Sequence, residues 1–220
     1  GEIVGVAGLV GAGRTELLQT LFGVTPAVGG TLKIAGKAIH PKTPLEAIKS
    51  GIVLAPEDRK QHGLILEMSV RENASLPRLR MDQKAGLIDF DAEIEVATDM
   101  VKKMDIRTPG LEQVVQYLSG GNQQKIVLGK WLAMKPRMLL LDEPTRGIDV
   151  GSKQEIYRLM EDLASSGVAI LFVSSEMEEV LGIADRALVM HEGAITGELA
   201  RDQLSEEAVM QLATGNMAAA

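Results

Sequence analysis

Five short apolar runs constrain what this chain can become: Ile3 to Ala7, Ile52 to Ala55, Met138 to Leu141, Ala169 to Val173 and Ala187 to Met190. Ile3 to Ala7 and Ile52 to Ala55 are nearly continuous rather than alternating, the pattern of strands buried on both faces. Between and around the runs lie stretches with helical spacing, Glu16 to Phe22, Thr43 to Ser50, Gln123 to Ala133, Ser152 to Ala164 and Glu176 to Leu181. Strands that alternate with helices predict a mostly parallel sheet with right-handed crossovers, an α/β fold.

The remaining segments fill in that frame. Thr31 to Ile39 reads as short strands about a Gly36-Lys37 turn, and Glu192-Gly193 as a tight hairpin between Val189-Met190 and Ala194-Ile195. Ser205 caps a last helix that runs to Ala213. From about Gly63 to Tyr117 the pattern is helical only, notably Asp91 to Met104, with turn signals at Pro77 and Pro109-Gly110. That segment reads as a helical subdomain inserted into the α/β core. The expected divisions are a core segment 1–62, a helical subdomain 63–118 and the remainder of the core 119–220.

Composition narrows the function. With 220 residues and 45% hydrophobic content, the chain has enough apolar material for a sizeable core. A net charge of −7, with no local concentration of Lys and Arg, gives no electrostatic footprint for nucleic acid. No apolar run approaches the roughly 18 to 20 residues that cross a bilayer, and no signal sequence opens the chain, so a soluble cytosolic domain is expected. The absence of cysteine excludes disulfides and thiolate metal sites. His40, His62 and His191 fall in loop-like stretches without metal spacing and read as surface residues; Met100, Met104 and Trp131 read as core, and Lys102-Lys103 and Arg78 to Arg80 as solvated faces. The opening Gly1-Glu2, directly before an apolar strand, reads as the start of a fragment.

Three motifs carry chemistry. Gly8, Leu9, Val10, Gly11, Ala12, Gly13, Arg14 and Thr15 fit the P-loop spacing G-x-x-x-x-G-K-[ST], followed by Glu16, except that Arg14 stands where Lys is expected. Its glycines let backbone N–H groups turn toward phosphates, and Thr15 would put a hydroxyl on Mg²⁺. Met138 to Glu143 ends an apolar strand in two carboxylates, with Asp142 suited to Mg²⁺ and Glu143 to polarising an attacking water. Two acids after a strand equally start helices, and Asp149, further along, equally reads as an N-cap. Leu118 to Lys125 reads LSGGNQQK, in which Ser119, Gly120, Gly121 and Asn122 open a helix whose N-terminus suits a phosphate.

Together, in this order, these motifs resemble the P-loop, Walker B, D-loop and signature elements of ATP-binding-cassette (ABC) ATPases, and the resemblance spans essentially the whole chain. It implies a P-loop NTPase fold with a RecA-like core and a helical subdomain, with ATP and Mg²⁺ as cofactors. It also implies that the signature reaches the γ-phosphate held by another domain and that Asp149 touches that partner. The strings PTRGIDVG, GNQQK and Glu57-Asp58-Arg59-Lys60 resemble the second, C-terminal ATPase domain of duplicated bacterial monosaccharide importers. That resemblance implies a first ATPase domain on the same parent chain, integral-membrane permease subunits, a periplasmic sugar-binding protein acting indirectly, and a peripheral place on the cytoplasmic side of the inner membrane. In the family the permease contact falls near the segment from Gly63 to Leu87.

Three departures from the family pattern imply a degenerate site on this domain: Arg14 for the P-loop Lys, Ser175 at the position of the switch His, and Glu57 at the position of the Q-loop Gln. The family's adenine-stacking aromatic would lie upstream of Gly1. Two alternatives stay open, a nucleotide-binding pseudoenzyme with a regulatory role and an ABC ATPase outside transport; heptads, zinc cysteines or a basic surface would mark the latter, and the sequence has none.

Overall fold

The computed structural model describes residues 1–84 and 86–215. Ala85, inside the expected helical segment, and residues 216–220, the end of the expected last core segment, lie outside the described residues. In chain order the elements are β1 (Ile3–Gly8), α1 (Arg14–Phe22), β2 (Leu32–Ile34), β3 (Lys37–Ile39), α2 (Pro44–Lys49), β4 (Ile52–Ala55), α3 (Val70–Ser75), β5 (Gln83–Lys84), β6 (Leu87–Ile88) and α4 (Phe90–Lys103). They continue with α5 (Gly120–Leu132), β7 (Met138–Asp142), α6 (Val150–Ser165), β8 (Ala169–Val173), α7 (Met177–Ile183), β9 (Arg186–His191), β10 (Ala194–Ala200) and α8 (Glu206–Ala213).

Packing divides the chain into two units, and the first comprises Gly1–Leu54, Arg137–Pro144 and Tyr157–Ala220. It is built on one six-stranded sheet in the order β10-β9-β1-β8-β7-β4, with β9, β1, β8 and β7 parallel to one another and β10 antiparallel to β9. β1, β4 and β8 are the apolar runs of the sequence, and β1 is buried over Ile3 to Ala7 because helices cover the sheet. Val6, Leu18, Phe22, Ile52, Leu140, Leu171 and Val173 share one core cluster. The parallel register sets Val6 beside Val173 and Asp142 beside Val173, so β1, β8 and β7 run out at the same edge. That edge is where a doubly wound sheet receives its ligand.

Two details of this unit correct the sequence reading. The β2–β3 turn is Ala35-Gly36, at φ 50° and 77°, rather than Gly36-Lys37, because a two-residue hairpin of this hand needs positive φ at both central residues. His191 ends β9 half-buried, its Nδ1 2.8 Å from the Ala213 carbonyl, and is not a surface residue. The Glu192-Gly193 hairpin and the Ser205 cap form as the residue types dictate.

The second unit comprises Ala55–Pro136 and Thr145–Ile156. Its core is α3, α4 and α5, and α5 packs on both of the others. Met100 of α4 and Met104, which caps its end, are buried, and Gly129 of α5 lies so near them that a Cβ there would stand 2.5 Å from Met100 Cγ. This packing explains why α5 belongs with the helical segment, whereas the sequence boundaries put residues 119–136 with the core. The segment 63–117 is also not helical only, since β5 and β6 form an antiparallel hairpin within it. Arg78 is drawn in from the expected solvated face by Asp82, 2.8 Å away, and Trp131 is half-buried rather than core.

Candidate functional site

In the first unit residues 9–13 of the P-loop turn between the end of β1 and the start of α1. α1 starts two residues before its expected first residue, Glu16, at Arg14. Gly11 and Gly13 adopt φ 81° and 93°, a backbone that an L side chain would strain. Ala12 N–H donates to the Leu9 carbonyl at 3.0 Å, and Gly193 N–H, from the hairpin after β9, donates to the Ala12 carbonyl at 2.9 Å. The loop is thus held from below while Leu9, Val10 and Gly11 face solvent. Gly13 has no side chain to cap α1, which leaves the first-turn amides of Arg14, Thr15 and Glu16 suited to an anion.

At the ends of β7 and β8 the acidic and switch residues meet Arg14. Asp142 is 5% exposed, and its Oδ1 has no hydrogen-bond partner among the described residues. Burial raises its pKa above the ordinary carboxylate value, while the Thr15 hydroxyl bond and the Arg14 charge oppose the rise. A buried acceptor without a partner beside a threonine hydroxyl is the donor set a hard cation takes, so Asp142 and Thr15 fit Mg²⁺. Glu143 sits at φ 48°, a left-handed conformation rare for its type, with its N–H on the Val173 carbonyl at 3.0 Å.

Arg14 does not extend along the open face of the P-loop. Its Nη1 donates to the Ser174 carbonyl at 2.6 Å, and its Nη2 lies 3.9 Å from Glu143 Oε1. The Ser175 hydroxyl donates to Glu143 Oε2 at 3.0 Å. Glu143 therefore carries contacts from two of the three residues that depart from the family pattern, Arg14 and Ser175. The Ser174 carbonyl is the part of this arrangement that sequence reasoning missed, since no side-chain pattern marks a backbone acceptor.

In the second unit Ser119 is the N-cap of α5, which begins at Gly120 rather than at Gln123. Its Oγ accepts from Asn122 N–H at 3.4 Å and from Asn122 Nδ2 at 2.9 Å, while Asn122 Oδ1 accepts from Arg107 N–H at 2.8 Å. No acid occupies the first turn, so the positive end of α5 is not neutralised there. Asp149 caps α6: Ser152 donates to it from N–H at 3.0 Å and from Oγ at 2.7 Å, and these bonds hold its pKa below the ordinary value. Glu57 pairs with Arg146.

Residues 1–146 match the family model for the ABC transporter. The chain belongs to the ABC transporter family. It is 50% identical over 215 residues, 98% of this chain and 44% of the relative, to the ribose import ATP-binding protein RbsA of Bacillus subtilis (strain 168). It is also 50% identical over 219 residues, 100% of this chain and 43% of the relative, to the ribose import ATP-binding protein RbsA 1 of Streptomyces coelicolor. The chain thus spans less than half the length of these curated relatives. A nucleotide-free ATP-binding cassette from an ABC transporter has the same fold, with TM-score 0.80 and 22% identity over 97% of this chain and 84% of that chain. The ADP conformation of another such cassette gives TM-score 0.78 and 23% identity over 97% and 88%. The α/β fold expected from the strand pattern, and its P-loop NTPase type implied by the resemblance, are those of the family.

Proposed function

We propose that the chain is the C-terminal ATP-binding domain of a bacterial monosaccharide importer. It supplies its signature loop, Ser119 to Asn122, to the nucleotide held by a first ATPase domain on the same parent chain, while its own P-loop site is degenerate. Identity near one half to ribose import proteins over nearly the full chain supports the sugar class. The observation that carries the asymmetry is Arg14, whose donors go to the Ser174 carbonyl and toward Glu143. A compact ammonium at that position would be free to lie between β and γ phosphates; a planar fork already engaged on its own site is not equivalent.

In this reading Asp142 and Thr15 hold Mg²⁺, which screens phosphate charge when bound. Gly8 to Glu16 bind the triphosphate through backbone amides, and Glu143 and Ser175 face it without the family's switch histidine. Glu57 borders the permease contact, and Asp149 the partner domain. Exposed Met81, Leu87, Ile88 and Phe90 in and beside the β5–β6 hairpin offer the apolar surface for the integral-membrane permease subunits. The periplasmic sugar-binding protein acts through those subunits, so the domain works at the cytoplasmic side of the inner membrane.

The test is steady-state ATP turnover of the parent chain assembled with its permease. Ser119→Arg, which puts bulk where phosphate approaches, is expected to lower turnover by about 10² to 10³, the usual cost of losing a transition-state donor. Arg14→Ala and Glu143→Gln are expected to lower it by less than about tenfold. If either proves as damaging as Ser119→Arg, this domain runs a working site of its own and the asymmetric reading fails.

A further inference from the structure

We propose that Arg59 is a positioning residue that fastens the segment Arg146–Asp149 to the signature loop, so that both meet a partner's nucleotide as one block. The proposal rests on the reading that this signature loop serves a partner's nucleotide, and adds the residue that sets its geometry. Arg59 Nη1 donates to the Arg146 carbonyl at 2.8 Å and Nη2 to the Gly147 carbonyl at 3.1 Å. Both acceptors are backbone, so the fork holds the course of the chain before Asp149 whatever side chains stand there.

The same nitrogen that donates to Gly147 lies against the signature. A Cβ on Gly120 would stand 2.8 Å from Arg59 Nη2 and 3.2 Å from the Gly147 carbonyl oxygen, so a side chain there would displace the fork. A Cβ on Gly121 would overlap the Ser152 hydroxyl, the same hydroxyl that donates to Asp149 at 2.7 Å. The segment leading into α6 thus leaves no room for a side chain at Gly121 and crowds one at Gly120. The turn that carries Arg59 is capped by Asp58, whose carboxylate accepts from Lys60 N–H at 2.9 Å and Gln61 N–H at 3.0 Å, and the Glu57–Arg146 pair ties the residues on either side of the fork. A lysine at position 59 keeps the charge but cannot fork to two carbonyls.

The experiment uses the parent chain assembled with its permease and compares Arg59→Gln, Arg59→Lys and Ser119→Arg with wild type. Amide hydrogen exchange in Arg59→Gln is expected to rise about tenfold at residues 120–122 and 147–149 while α4 stays as it was. The kcat for ATP is expected to fall about 10²-fold, the cost of misplacing a catalytic constellation by about 1 Å, with KM within about twofold. Arg59→Lys is expected to recover kcat only in part. Unchanged exchange at those amides, exchange that rises equally in α4, or wild-type kcat in Arg59→Gln while Ser119→Arg is inactive overturns the proposal. Should Ser119→Arg itself turn over normally, the trans reading of the signature fails, and the exchange measurement still decides whether Arg59 fastens the block.

Discussion

Lys130 is 6% exposed on α5, where its ammonium donates to the Gly63 carbonyl and lies 5.5 Å from the centroid of the Trp131 ring. Burial pushes its pKa down to about 8 from an ordinary 10.5. Between those values the unfolded chain binds the proton and the folded chain does not. The cost of the buried charge is thus fully present below about pH 8 and is relieved as pH rises toward 10.5. Trp131 is the sole tryptophan of the chain, so its fluorescence is expected to titrate near pH 8 and to lose that inflection in Lys130→Met. Asp142 runs the other way. Its pKa is raised by burial, so the folded chain binds the proton more tightly, and stability falls as pH rises through the window that opens at the unfolded value of 3.8. Asp142→Asn is expected to flatten that slope in thermal melts and to abolish any Mg²⁺-dependent rise in melting temperature.

Among the elements, α5 shows propensity yielding to packing. Gly129 stands in its interior, where alanine would add roughly 1 kcal/mol of helix propensity. A Cβ there would press on Met100 Cγ of α4 at 2.5 Å and on Met104 Cγ, just after α4, at 3.1 Å. Gly129→Ala is therefore expected to destabilise the chain by about 1 to 3 kcal/mol in denaturant melts, the usual cost of overpacking, against the direction of its propensity. The same close approach governs the start of α5. The apolar helical spacing of the sequence covers only Gln123 to Ala133, and the serine and two glycines expected to open the helix do so, Ser119 as its cap and Gly120 as its first residue. At Gly121 the Ser152 hydroxyl leaves no room for a Cβ, a packing constraint beside the expected phosphate approach.

For the molecule as a whole, the proposed degeneracy of the P-loop motivates a further expectation. The purified 220-residue chain should hydrolyse ATP at background and bind it weakly; turnover well above a Glu143→Gln control would contradict this. What the sequence by itself determined is the α/β frame and its motif order. Apolar runs such as Ile52–Ala55 and Ala169–Val173 coincide with β4 and β8, because a strand buried on both faces has little freedom in composition. The places of Gly8 to Thr15 between β1 and α1, and of Asp142-Glu143 at the end of β7, were legible because each motif is local in the chain. The tertiary structure alone decided where Arg14 sends its donors, since Ser174 lies 160 residues away and is brought near by the parallel pairing of β1 with β8. It alone decided that α5 packs with α3 and α4. It alone revealed Arg59 against Gly120 and the carbonyls of Arg146 and Gly147, the latter 88 residues on. Local pattern records what a segment buries; which backbone carbonyl or distant glycine it meets depends on how the strands and helices pack, and no spacing along the chain encodes that.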